Sequence, residues 1–175
     1  MGQRLRIAGV AGLALVVGAC ASKAPAPAAS ATITTTNVSP ALTSAAYFAA
    51  ASSAALFAVK SAELAMERSR DPEVLALAKM RKSHGEGIAG QLSFAGRRLD
   101  MLPSASLTPD HQAKLDRLSL SGDFDRAYLR MQEAEVEQTL RLHRTFATSG
   151  GSATLRPVAE LGADLTARED AALGD

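Results

Sequence analysis

One carboxylate lies on a predicted apolar helix face, and that placement calls for a chemical explanation. Glu135 lies at helical spacing on one stripe of this helix, together with Phe124, Tyr128, Met131, Gln138 and Leu142. Because an unpaired buried charge is costly, Glu135 must form an ion pair, reach solvent or bind a metal. We favour an ion pair with a cation of a facing helix, for which the candidates are Arg81, Lys60 and Arg168. Solvent exposure and metal ligation are the alternatives.

Histidine is the second residue type that could bind a metal or transfer a proton. His84 lies beside the apolar stripe of the second predicted helix, four residues before Ile88. Arg81 stands three residues before it, where a Glu-x-x-His metal motif needs a glutamate. We therefore predict that His84 is a structural residue that bonds a neighbouring helix. His111 and His143 are predicted to face solvent.

The single cysteine follows a signal pattern. Arg4 and Arg6 precede residues 7–19, which carry no charge and end in Gly18-Ala19. A positive start, a short apolar segment and small residues at its end predict a secretory signal peptide. As a helix, residues 7–19 would span about 20 Å, which is less than the roughly 30 Å of a membrane core.

The segment Val17-Gly18-Ala19-Cys20 resembles a bacterial lipobox. The resemblance implies cleavage before Cys20, acylation of Cys20 and stable anchoring by several acyl chains. An ordinary secreted protein cut nearby is the alternative. Because Ala21-Ser22 contains no aspartate, the same resemblance implies an outer-membrane location, with the domain facing the periplasm.

The charge balance and the residue types of the mature chain argue against some classes of function. Removal of residues 1–19 takes two of the 19 basic residues and leaves 17 of them against 18 acidic ones. This balance argues against a nucleic-acid partner, which a basic patch would recognise. No serine elbow, phosphate loop or free thiol is present in the mature sequence, so we predict that the protein is not an enzyme.

The chain divides into three parts. Residues 1–19 are the signal peptide, and residues 20–42 are a lipidated cysteine followed by an Ala/Pro/Ser/Thr tether. Residues 43–173 form a helical domain. Its first segment, residues 41–59, is uncharged and long enough for a membrane span. Because it is rich in Ala, Ser and Thr, we interpret it as a bundle helix.

Five helical segments with capping signals cover the domain. They run from Thr43 or Ser44 to Arg68, from Asp71-Pro72 to about Asp100, from Thr108-Pro109 to about Leu118, from Asp123 to Thr148, and from Ser152 to about Gly174. No segment alternates like a strand. The pattern predicts an all-α bundle of four long helices with a short connector helix.

Several motifs of the chain resemble a known family. They are Lys79-Met80-Arg81-Lys82-Ser83-His84, Arg98-Leu99-Asp100-Met101-Leu102-Pro103, and the Gly-x-Phe-Asp-x-x-Tyr element from Gly122 to Tyr128. Residues 43–173 are similar to the bacterial envelope family named domain of unknown function 4142. The resemblance implies a ferritin-like four-helix bundle with a short extra connector helix.

The resemblance also bears on metal binding. Members tend to place metal ligands on four helices, and in this chain only His84 matches clearly. Ala58 or Lys60 stands where the first glutamate is expected, Ala134-Glu135 where Asp-His is expected, and Arg168 near the last histidine. We predict no cofactor and no metal. The alternative is an altered centre for iron, manganese or zinc, with His84 and Glu135 as its candidate ligands.

The sequence thus predicts a lipid-anchored, non-catalytic envelope protein that binds a ligand or an envelope protein partner. A ferritin-like metal-binding protein with a degenerate centre is the alternative function.

Overall fold

The computed structural model of the chain describes residues 42–174, which form five α-helices. The helices are α1 (Ser44–Arg68), α2 (Pro72–Arg97), α3 (Pro109–Ser119), α4 (Phe124–Ser149) and α5 (Arg156–Gly174). No strand occurs in residues 42–174, so the predicted all-α class is confirmed there. The predicted signal peptide, Cys20 and nearly all of the predicted tether lie outside the described residues.

Three helices begin at the predicted capping residues. Thr43, Asp71 and Thr108 each accept, through a side-chain oxygen, a hydrogen bond from a backbone N–H of the first turn. These bonds satisfy N–H groups that have no partner inside the helix. Asp123 precedes α4 as predicted, but its side chain makes no capping bond and pairs with Arg126 at 3.2 Å instead.

Two helix boundaries differ from the prediction. α2 ends at Arg97, three residues before the predicted Asp100, because Asp100 adopts a left-handed conformation with φ of 52°. The N–H groups of Leu99 and Met101 both donate to the carbonyl of Gly96, which closes the helix end. α5 begins at Arg156, after a turn in which the Ser152 hydroxyl accepts from the N–H of Leu155.

The four long helices contact one another in a closed order. α1 packs on α2, α2 on α5, α5 on α4 and α4 on α1. The short helix α3 contacts α1 and α4. α1 and α2 pack closely because Gly85 faces α1: a Cβ atom at this position would lie 2.9 Å from the carbonyl oxygen of Ala55. The arrangement is a helical bundle with α3 on its α1–α4 side.

Two apolar clusters fill the interior at different heights. One contains Tyr47, Phe48, Leu92, Phe146 and Leu155. The other contains Val74, Leu77, Leu118, Phe124 and Tyr128, and the Phe124 and Tyr128 rings stack with centroids 6.0 Å apart.

Buried polar side chains lie between the two clusters along each long helix, and we call them the polar layer. Its members are Ser52, Ser53, Ser61, Arg81, His111, Gln132, Glu135, His143, Thr166 and Glu169. The helices therefore hold two carboxylates, one guanidinium and two imidazoles inside the bundle.

α1 takes part in this interior. By length and composition it could cross a membrane, yet 61% of its apolar window is buried inside the fold. Its buried residues face α2, α3 and α4. α1 is therefore a buried helix of the bundle, in agreement with its interpretation from the sequence.

Candidate functional site

Glu135 is held by two side chains of α3. Its carboxylate is 3% exposed, with Oε2 3.1 Å from Nε2 of His111 and Oε1 2.5 Å from Nζ of Lys114. Burial alone would raise the pKa of Glu135, but the hydrogen bonds from His111 and Lys114 outweigh burial and lower this pKa. Glu135 is therefore an anion at neutral pH, and its charge is balanced within the site.

His111 is fixed in orientation on both sides of its ring. Nδ1 lies 2.7 Å from Oγ of Ser53, and the ring stacks on Phe57 with centroids 4.8 Å apart. Oγ of Ser53 in turn donates to Oγ1 of Thr108 at 3.2 Å. The direction of the bond between Nδ1 and Oγ of Ser53 depends on the tautomer of the ring, and the backbone N–H of Thr108 also donates to this Oγ at 3.0 Å.

Lys114 bridges two carboxylates at the edge of the polar layer. Besides Glu135, its Nζ contacts Oδ2 of Asp110 at 2.5 Å. The hydrogen bond from Lys114 is the largest influence on Asp110 and lowers its pKa. The Asp110 side chain is 66% exposed and that of Lys114 20% exposed, so this side of the cluster meets solvent.

The cluster has the composition of a metal site. One ligand atom each of Asp110, His111 and Glu135 lies within 4.8 Å of the other two. Among residues 42–174, these three form the one such group of His, Cys, Asp and Glu side chains. The ammonium of Lys114 contacts the carboxylates of Asp110 and Glu135, at the position where a metal cation would be bound.

An open cleft of about 690 Å³ lies beside this cluster, between α1, α3 and α4. Its apolar wall comes from Leu42, Ala50, Ala54 and Leu142, and its polar wall from Ser53, Thr108, Asp110, His111, Glu135, Gln138, Thr139, Arg141 and Thr145. A second hollow of about 280 Å³ lies on the Lys114 side, and Glu135 borders both. Solvent-sized molecules can thus reach the cluster.

A second cluster is built around Glu169 of α5. Oε2 lies 2.6 Å from Nη1 of Arg81, and Oε1 lies 3.0 Å from Nδ1 of His84. Both partners belong to α2, so the carboxylate joins α5 to α2. The side chains of Arg81 and Glu169 are almost completely buried.

A third polar contact joins α1 to α4. The hydroxyl of Tyr47 lies 3.0 Å from Nδ1 of His143, and Nε2 of His143 has no hydrogen-bond partner among the described residues. Desolvation by burial raises the pKa of Tyr47 and lowers the pKa of His143 to about 4. Gly162 of α5 faces the imidazole so closely that a Cβ there would lie 2.5 Å from the ring.

The structure separates the two residues considered as metal ligands. His84 bonds Glu169, whereas Glu135 bonds His111 and Lys114. The bond of His84 to a neighbouring helix agrees with its predicted structural role. Cys20, the predicted lipidation site, lies outside the described residues.

Three details of the sequence interpretation are wrong. Glu135 does form an ion pair, but none of the proposed cations supplies it: Lys60 and Arg168 are exposed, and Arg81 pairs with Glu169. His111 and His143 are buried instead of facing solvent. α3 packs His111 against α1 and α4, and Gly162 of α5 lies against the ring of His143.

Sequence reasoning also missed Glu169 and Gln132. Gln132 lies four residues after Tyr128 on the buried face of α4, and Glu169 lies three residues after Thr166 on that of α5. Helical spacing from their buried neighbours is the signal that could have found both.

These helices and their polar layer define an all-helical bundle protein in which each buried carboxylate is held by a histidine and a cation. The model of the family described as domain of unknown function (DUF4142) matches residues 24–165, and the chain belongs to this family, as its motifs predict. No curated protein and no solved structure matches the chain.

Proposed function

We propose that the protein is a lipid-anchored envelope protein whose helical domain has a non-catalytic, ligand- or partner-binding role. The Val17-Gly18-Ala19-Cys20 segment supports cleavage of residues 1–19 and acylation of Cys20. Residues 20–42 then serve as the tether and residues 43–173 as the domain. The absence of aspartate after Cys20 favours the outer membrane, with the domain in the periplasm.

The closed order of the long helices supports a ferritin-like four-helix bundle in which α3 is the extra connector helix. In such bundles, ligand and metal sites are built from side chains on facing helices. The polar layer of this domain is likewise formed by side chains from facing helices. A bundle that keeps charged groups in its interior has a layer in which a binding function can arise.

The cleft between α1, α3 and α4 is the observation that carries the binding function. Its volume of about 690 Å³ lies within the range of small-molecule sites, roughly 300–1,000 Å³. It also combines an apolar wall with a few polar groups that include His111 and Arg141, as such sites do. The same features would suit an apolar side chain of an envelope protein partner.

The mature sequence supports a non-catalytic role, because it contains no serine elbow, phosphate loop or free thiol. The proposed binding role requires no resident cofactor.

Replacement of Cys20 by alanine is expected to abolish acylation. The full chain and a Ser22→Ala control should incorporate labelled palmitate and fractionate with outer membranes, because both keep the thiol that receives the acyl chains. The Cys20→Ala chain should remain unlabelled. The measurement is palmitate labelling of cells followed by membrane fractionation. Label retained by Cys20→Ala would rule out this anchor.

Filling the cleft is expected to remove a bound ligand. Ala50 lines the cleft, whereas its neighbour Ala49 is exposed and does not. Native mass spectrometry of protein purified from envelopes should show a non-covalent organic adduct for the wild type and for Ala49→Trp, and none for Ala50→Trp. An adduct of equal occupancy in both tryptophan variants would place the ligand elsewhere and contradict a binding role for the cleft.

A further inference from the structure

The cluster of Asp110, His111 and Glu135 offers a cation three ligands of mixed type. Its carboxylate and imidazole atoms lie within 4.8 Å of one another. Two of the ligands, Asp110 and His111, are adjacent in the first turn of α3, and the third comes from α4. An ion bound there would therefore join the connector helix to the bundle.

A positive charge already sits at this position. Nζ of Lys114 lies 2.5 Å from both Asp110 and Glu135, so the geometry of the two carboxylates suits a single cation between them. The Lys114 side chain is 20% exposed, so its ammonium can turn towards solvent when another cation balances the buried Glu135 carboxylate. A metal ion would thus replace Lys114 in the site.

The surroundings of His111 prepare its second nitrogen for coordination. Ser53 and Phe57 fix the imidazole plane, and Nε2 points at Glu135. When Nδ1–H donates to Oγ of Ser53, the lone pair of Nε2 is available to a metal. Nε2 carries the proton in its bond to the Glu135 carboxylate, so metal binding requires the other neutral tautomer, in which the proton lies on Nδ1 and the Ser53 hydroxyl donates to Thr108.

We propose that Asp110, His111 and Glu135 form an exchangeable zinc site whose position Lys114 occupies in the absence of metal. One imidazole and two carboxylates suit zinc, whereas magnesium requires near-octahedral oxygen ligands. Three protein ligands leave a fourth coordination position on the side of the cleft. This site goes beyond the proposed function, since neither the lipid anchor nor an organic ligand of the cleft depends on it. It is also separate from the cluster of His84.

Zinc titration of the full chain tests the proposal. Every sample carries Cys20→Ser, so that the lone thiol cannot ligate zinc, and is kept in detergent micelles. Isothermal titration calorimetry with zinc chloride should show one site in the otherwise wild-type chain, and magnesium chloride should show none. Lys114→Met should bind zinc about tenfold more tightly, because a competing cation that fills nine-tenths of the sites lowers the apparent affinity by that factor.

Ligand variants and matched controls locate the site. His111→Ala and Asp110→Asn should each weaken zinc binding at least about tenfold. Because the Asp110 side chain is mostly exposed, its variant keeps the fold and decides the matter if His111→Ala does not fold. Lys82→Met removes a cation that also bridges two carboxylates, and His84→Ala removes a histidine of the other cluster; both should leave zinc affinity unchanged. The proposal is overturned if Lys114→Met binds no more tightly than the wild type or if Asp110→Asn binds equally well.

Discussion

Replacement of Arg81 by methionine is expected to lower the free energy of unfolding by about 3–5 kcal/mol, since this is the usual cost of removing one partner of a buried ion pair. The guanidinium is the cation of the buried Glu169 carboxylate, at 2.6 Å. Without it, Glu169 keeps only its bond to His84 and must remain charged, or take up a proton, away from water. Urea unfolding followed by circular dichroism at pH 7 measures the change.

The neighbouring residue supplies the matched control. Lys82 pairs with Glu63 and Glu86 on the surface of the bundle, where solvent screens an ion pair. Lys82→Met should therefore lower the free energy of unfolding far less than Arg81→Met. Arg81→Met combined with Glu169→Gln should lose less than the sum of the two single changes, because the orphaned charge is gone. Equal losses for Arg81→Met and Lys82→Met would show that the buried pair has no special weight.

Acidification is expected to destabilise the fold through His143. Burial lowers the pKa of this imidazole to about 4 in the folded state, against an ordinary value of 6.5. Between these values the unfolded chain binds the proton and the folded chain does not. The contribution of His143 to stability is thus complete above pH 6.5 and is lost as the pH falls to 4, by about 3 kcal/mol in total.

The surroundings of His143 explain why it resists protonation. Tyr47 is its hydrogen-bond partner from α1, and a small hollow of about 10 Å³ beside the ring is also lined by Arg81 of α2 and Glu169 of α5. The two charges of that hollow neutralise each other. A proton on His143 would therefore add a buried charge without a free counter-ion.

A comparison of pH profiles isolates this residue. His143→Gln should flatten the decline in unfolding free energy between pH 6.5 and 4, whatever its own stability at pH 7. His84 and His111 remain in both proteins, so the difference between the profiles belongs to His143. An NMR titration that finds a charged His143 ring in the folded protein at pH 5.5 would contradict the prediction directly.

The starts of the helices could be predicted because their causes are local. Thr43, Asp71 and Thr108 cap through bonds that span two or three residues of sequence. The end of α2 could not be predicted, because it depends on the left-handed conformation of Asp100. Aspartate adopts this conformation only in some contexts. Local chemistry thus gave the order and number of helices with boundary errors of a few residues.

The partners in the polar layer could not be predicted, because they depend on how helices meet. The predicted stripe of α4 is right at Phe124, Tyr128 and Glu135, which are buried. It is wrong at Met131, Gln138 and Leu142, in whose place the buried face contains Gln132, Val136, Leu140 and His143. Polar residues in the core hide the true face from any apolar periodicity. The connector α3 adds a further effect, since it lies on α1 and α4 and brings His111 and Lys114 to Glu135.

The choice of helices that the buried side-chain hydrogen bonds connect has a consequence for the rates of folding and unfolding. The five buried bonds between side chains in residues 42–174 join α1 to α3, α1 to α4, α2 to α5 and α3 to α4; none joins α1 to α2 or α4 to α5. The pairs α1–α2 and α4–α5 are connected by short turns, so their contacts form early and without long loop closure. The three bonds that join α1 to α4 and α2 to α5 form only when these two hairpins dock, and such bonds affect chiefly the rate of unfolding. We therefore expect them to lengthen the lifetime of the folded molecule, while the two helical hairpins determine the rate of folding.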